Sequence, residues 1–288
     1  MVKRTENSSI PNMLAMVPLA AEPIFHIGNF PVTNSMLNAW IATGFFVLVA
    51  YVASRRKSLA PRGVHNFIET VIETLLNQAE KVTGSREKAR AFFPLVATIF
   101  LFVLVSNWMG QIPGTGSIGI YGVMHGEVEL LPLLRPATSD LNLTLGIAVF
   151  SVLMSHVVGI RALGFTNHIS KFINIRGIWR SFKKGPMAVA VACIEFGVGI
   201  LEIISEFAKA LSLSLRLFGN IFAGEILIGV MLSLVSFIVP VPFMFLELLV
   251  GIIQATVFAM LVLVYLSVAT QSHDHEEAHE EHHEPAHA

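Results

Sequence analysis

Apolar residues in this chain come in runs long enough to cross a bilayer, with the charged residues gathered between them. The first run, Met36 to Ser54, stops at Arg55, Arg56 and Lys57. About 20 apolar residues cross ~30 Å of hydrocarbon, so it just suffices for one helical span. From Pro61 to Arg90 the period changes. Val64, Phe67, Ile68, Val71, Ile72, Leu75, Leu76 and Ala79 recur at helical spacing, with Glu69, Glu73 and Glu80 between them. That pattern predicts one amphipathic helix on the membrane surface, with Pro61 near its start. Ala91–Met109 predicts a second span, Gly110 to about Tyr121 a Gly/Pro-rich loop, and Leu141–Ile160 a third span ended by Arg161.

The run from Ala188 to Val239 is far longer. As a straight helix it would extend ~78 Å at 1.5 Å per residue. Glu202, Glu206, Lys209 and Arg216 in its middle make two clean spans awkward. One very long, strongly tilted helix is predicted, with Gly197, Gly199 or Gly219 as places for a bend. Pro240 and Pro242 form a turn, and Phe243–Ala269 returns as the last long helix. The expected fold is an all-α integral membrane protein with about five transmembrane helices and one amphipathic surface helix, the last two helices long and tilted as a hairpin. No repeat of 20–50 residues is visible.

Composition agrees, since only 14% of residues are charged and 54% are hydrophobic, against roughly 25% charged in soluble domains. Residues 1–35 read as an external N-terminal segment, 36–271 as the membrane domain and 272–288 as a disordered cytoplasmic tail. Lys3 and Arg4 before Met13–Ala21 resemble a signal peptide, but Pro18 interrupts a short run, so an uncleaved segment is expected. The tail is rich in His and Glu and holds no Lys or Arg. His279, His282 and His283 have metal-like spacing, yet without fixed geometry a solvating role is favoured, and no metal site is assigned. The single cysteine, Cys193, excludes an intramolecular disulfide. The basic residues lie between spans, so no nucleic-acid footprint exists. Segments 55–90 and 161–184 are basic, whereas 110–140 offers only Arg135 against Glu127, Glu129 and Asp140. Positive loops stay cytoplasmic, which puts the N-terminus outside and, after five crossings, the tail inside.

The long fourth helix carries the candidate chemistry. An ionisable residue at a span centre costs at least ~2.5–3.5 kcal/mol and marks an ion path by default. At ~100° per residue, Glu195, Glu202, Glu206, Lys209, Arg216 and Asn220 fall within about 80° of the circumference, and Glu225 lies near 140° away. A polar stripe of that length faces protein or water. Glu206 and Lys209 can pair at i,i+3, joined by Glu202. Arg216 has no acid within a turn, and arginine does not deprotonate, so its partner must come from another helix or another subunit. On the last helix Glu247 and Gln254 share one face, and a hairpin would bring Gln254 near Arg216. Glu225 and Glu247 flank the turn. Carboxyl groups in low dielectric can take up and release protons near neutral pH, and a permanent cation at mid-membrane would block a direct leak. His156 is expected to make a structural hydrogen bond. Asn107 and Asn142 at span ends read as polar glue between helices.

Leu215-Arg216-Leu217-Phe218-Gly219-Asn220 with Ala223-Gly224-Glu225 resembles the signature of subunit a of the F-type ATP synthase. Phe93-Pro94-Leu95, Asn107, the segment Thr138 to Thr144, Gln254 and Tyr265-Leu266-Ser267 also fit, over about residues 60–270. The resemblance implies a proton-translocating membrane stator whose two half-channels lead to and from a rotating c-subunit ring, coupling proton flow to rotation and ATP synthesis. It implies that Arg216 faces the ring carboxylate, that Asn220, Glu225, Glu247 and Gln254 line the pathways, and that Glu202 and Lys209 belong to a cytoplasmic-side stripe. Some members carry His in place of Glu247, so the outer half-channel here would rest on two carboxylates. Others carry Asp in place of Gly110, which suggests that side chain is dispensable. Expected partners are the c-subunit ring, the b-subunit peripheral stalk, the remaining ATP synthase subunits and membrane lipid. The expected location is a bacterial cell inner membrane, multi-pass, with a periplasmic N-terminus and a cytoplasmic C-terminus. With no nucleophile, nucleotide loop or cofactor box, the chain is not an enzyme by itself and needs no cofactor. The competing reading is a self-contained proton-coupled secondary transporter in which Arg216 binds an anion; it predicts the internal repeat that is missing.

Overall fold

The computed structural model describes residues 21–55, 63–112, 118–124, 127–166, 168, 186–235 and 238–271. Pro61, the N-terminal residues 1–20 and the His/Glu-rich tail lie outside the described residues, and so do the side chains of Cys193 and Glu195. A hairpin of β1 (Pro23–Ile27) and β2 (Phe30–Thr33) leads into α1 (Asn34–Arg55). Then come α2 (Val64–Thr83), α3 (Arg86–Gln111), a second hairpin of β3 (Gly119–Met124) and β4 (Glu127–Pro132), and a 3-10 turn at Ala137–Ser139. Helices α4 (Leu141–Leu163), α5 (Pro186–Leu234) and α6 (Pro240–Ala269) complete the order. Among the described residues, five helices, all except α2, are long and apolar enough to cross a membrane. The chain is a helical, multi-pass membrane protein.

Several local expectations need correction. The stretch 61–90 is not one helix. Gly84 adopts φ 68°, a left-handed C-cap whose N–H bonds to the Glu80 carbonyl, and α3 starts two residues later. Left-handed backbone suits glycine, which has no Cβ to clash. Arg86 pairs with Glu80 at 2.8 Å across that break. Pro240 and Pro242 do not form the turn; they lie in the first turn of α6, where a missing N–H costs nothing. The loop after Gly110 also differs, because α3 continues to Gln111 and the following segment pairs as β3 and β4. The run from 188 to 239 is a single helix over Pro186–Leu234, about 74 Å long by rise.

The chain divides into two compact units, and α3, α4, α5 and α6 each contribute to both. One comprises residues 1–55, 101–144 and 216–255. Its core includes Val32, Ala42, Val103, Leu217, Ile221 and Ala255. The other comprises 56–100, 145–215 and 256–288, with Val96, Phe100, Leu213, Phe258, Val262 and Leu266 buried.

Candidate functional site

In the first unit, α1 anchors the segment before α4. Asn34 Nδ2 donates to the Pro132 carbonyl at 3.3 Å and Asn38 Nδ2 to the Arg135 carbonyl at 2.6 Å. Ser35 Oγ donates to Asp140 Oδ2 at 2.9 Å, while Asp140 Oδ1 accepts the Asn142 N–H at 2.9 Å and so caps α4. This scaffold holds Arg135, whose side chain is only 3% exposed, against Glu225 of α5. Nε donates to Oε1 at 3.0 Å and Nη2 to Oε2 at 3.1 Å, a two-pronged, charge-assisted contact.

Glu247 of α6 is buried and seated against Gly224 of α5. A Cβ on Gly224 would collide with the Glu247 carboxyl group, so the glycine makes that approach possible. The Gln111 side chain at the end of α3 lies beside the same carboxyl group. Asn220 Nδ2 donates to Oε1 of buried Gln254 at 2.7 Å. The order of these contacts, 224 with 247 and 220 with 254, makes α5 and α6 antiparallel neighbours in this unit. Asn107 accepts a hydrogen bond from Thr138 and donates to the Gly251 carbonyl, and Trp108 Nε1 donates to the Leu248 carbonyl at 3.1 Å, which tie α3 to α6. Gly110 packs against Pro136 so closely that a Cβ would overlap the ring. The missing side chain there is enforced by packing. Asn142, in contrast, is exposed and contributes only its backbone N–H.

Arg216 stands apart. Its residue is exposed on α5, and among the described residues its side chain makes no ion pair or hydrogen bond. The expected neighbour, Gln254, takes Asn220 as its partner instead. Nor do Glu225 and Glu247 bond to each other among the described residues. The exposed positions Phe207, Leu211, Leu215, Arg216, Gly219 and Ala223 recur at helical spacing along α5. The most apolar stretch of α5 is only 17% buried, the lowest of the five spans. Among the described residues, nothing covers these positions of the helix.

The second unit holds another polar cluster. Lys209 Nζ donates to Glu206 Oε1 at 2.6 Å, and Glu206 Oε2 lies 3.5 Å from His156 Nε2 on α4. His156 Nδ1 is 3.2 Å from His168 Nε2. Lys209 Nζ also sits 5.6 Å from the Tyr265 ring centroid of α6, within cation–π range. Glu202 lines the same cavity of about 50 Å³. The i,i+3 pair and the company of Glu202 are as the helical spacing predicts. His156 is more connected than a single structural hydrogen bond implies. The roles of Arg135, Gly224 and His168 are not visible in the sequence pattern. The one available signal was Arg135, a lone cation in an otherwise acidic segment.

The family model described as ATP synthase A chain matches residues 36–267. Similar proteins include the ATP synthase subunit a of Gloeobacter violaceus, 31% identical over 91% of this chain and 94% of that protein. That of Moorella thermoacetica is 31% identical over 87% and 96%, and that of Geobacter sulfurreducens 34% identical over 81% and 86%.

Proposed function

The chain belongs to the ATP synthase A chain family, and on that footing we propose how it works as the proton-translocating stator subunit of the F-type ATP synthase. The exposed face of α5 lies against a rotating ring of c subunits. Arg216 meets the ring carboxylate there, drawing off its negative partner as the proton leaves and keeping the two proton paths from joining. Asn220, Glu225, Glu247 and Gln254 serve the outer path. Glu195, Glu202, Glu206 and Lys209 serve the inner one. The b-subunit stalk and the remaining subunits hold this chain still, and nucleotide chemistry stays with them. The subunit resides in a bacterial inner membrane, N-terminus periplasmic and tail cytoplasmic, because the basic segments 55–90 and 161–184 remain inside. The transporter alternative is not favoured.

One observation carries this reading: a permanent cation, exposed and without a partner among the described residues, on the least buried span. An arginine in a span needs an anionic partner, and here that partner belongs to another chain. Disulfide mapping tests it. Cysteines at exposed Leu211 or Leu215 are expected to cross-link to a cysteine beside the ring carboxylate, and cysteines at buried Leu213 or Leu217 are not. Failure of the exposed positions to cross-link in an assembled complex would remove the proposed interface.

A further inference from the structure

Resting on that stator reading, we propose that His156 and His168 form a two-imidazole proton relay. It passes protons between Glu206 of α5 and buried His168. The geometry is continuous. Lys209, Glu206, His156 and His168 make a chain with separations of 2.6, 3.5 and 3.2 Å. His156 presents Nε2 to the carboxylate and Nδ1 to the second ring, so both of its nitrogens face a proton-exchanging partner. A neutral imidazole can accept a proton on one nitrogen and release one from the other.

The step balances without any co-reactant. A proton leaves the Glu206 carboxyl for His156 Nε2 while His156 Nδ1 gives its own to His168 Nε2, and the reverse sequence returns a proton from His168 to Glu206. The 3.5 Å gap exceeds an ordinary hydrogen bond. The adjoining cavity of about 50 Å³ has room for a bridging water, each of which needs ~10–15 Å³. Ser155, Glu202, Lys209 and Tyr265 also face that cavity, so the water would have polar partners.

The chain is packed closely around the second ring. His168 is 4% exposed. A Cβ on Gly159 of α4 would lie 2.7 Å from His168 Cε1 and 2.9 Å from its Nδ1, so α4 gives up a side chain to admit that imidazole. A brace for Glu206 needs no second histidine, because Lys209 already satisfies the carboxylate at 2.6 Å.

The test uses the assembled complex in inverted vesicles, with His156→Gln and His168→Gln. Glutamine keeps a hydrogen-bonding side chain but cannot relay a proton. With assembly verified by co-purification, ATP-driven proton uptake should fall about tenfold or more in either variant, since a positioned acid–base group contributes ~10²–10⁴-fold. Millimolar imidazole in the bath should restore part of the rate in the variants and leave the native complex unchanged. Uptake at the native rate in both variants overturns the relay, as does loss without imidazole rescue. Failure of both to assemble overturns it too, because the pair would then be a brace. An Arg216→Ala control separates the levels: if it pumps normally the stator reading fails, and if only the glutamine variants pump normally the relay alone falls.

Discussion

Removing the Arg135 guanidinium should harm the protein far more than removing it together with its partner. The pair makes N–H···O contacts of 3.0–3.2 Å, with the arginine side chain 3% and the glutamate side chain 21% exposed. Breaking a buried ion pair from one side costs about 3–5 kcal/mol, because the remaining charge stays desolvated. The partial exposure of Glu225 lowers that to roughly 2–3 kcal/mol for Arg135→Met by the same reasoning. Replacing both residues, Arg135→Met with Glu225→Leu, leaves no orphaned charge and should return stability to within about 1 kcal/mol of native. Glu225→Leu alone strands the more deeply buried Arg135 and should cost about 3–5 kcal/mol, so a double-mutant cycle on heat-induced loss of the subunit from the detergent-solubilised complex should read a coupling of about 4 kcal/mol or more. Additive single-variant effects, with coupling under about 0.5 kcal/mol, would refute the pairing. The double variant should also assemble yet pump poorly, which separates the structural part of Glu225 from its place on the proton path.

Other outcomes follow from the same contacts. Gly224→Ala should displace the Glu247 carboxyl and slow proton uptake while leaving assembly largely intact, because a flexible side chain can move aside; vesicle pumping beside subunit yield would check it. Gly110→Ala meets the Pro136 ring and backbone nitrogen instead, so there the loss should appear in assembly, by about 1–3 kcal/mol as for other overpacked sites. Asp140→Ala loses both the α4 cap and the Ser35 hydroxyl contact, and should cost about 1–3 kcal/mol in thermal stability.

Much of the fold was legible because a bilayer imposes length and apolarity on every span, and both are read directly along the chain. The errors lay at ends. Thr83-Gly84-Ser85 breaks the amphipathic stretch through one residue's left-handed backbone, which periodicity does not register. Pro240 and Pro242 look like a turn but open a helix, since proline is tolerated wherever the N–H has no helical partner. The Glu206–Lys209 pair was legible because a single helical period places both members. Arg135 and Glu225 are 90 positions apart, and their contact depends on how α1 pins the segment before α4. Gly224 illustrates the same limit: its role exists only where the Glu247 side chain of another helix arrives.

The central claim is that Arg216 is the cation through which proton flow is coupled to the ring. ATP-driven proton uptake in inverted vesicles carrying Arg216→Ala, with assembly checked by co-purification, tests it most directly. An assembled complex that no longer pumps is expected. Normal pumping by the assembled variant would contradict it and would leave the α5 stripe a structural network.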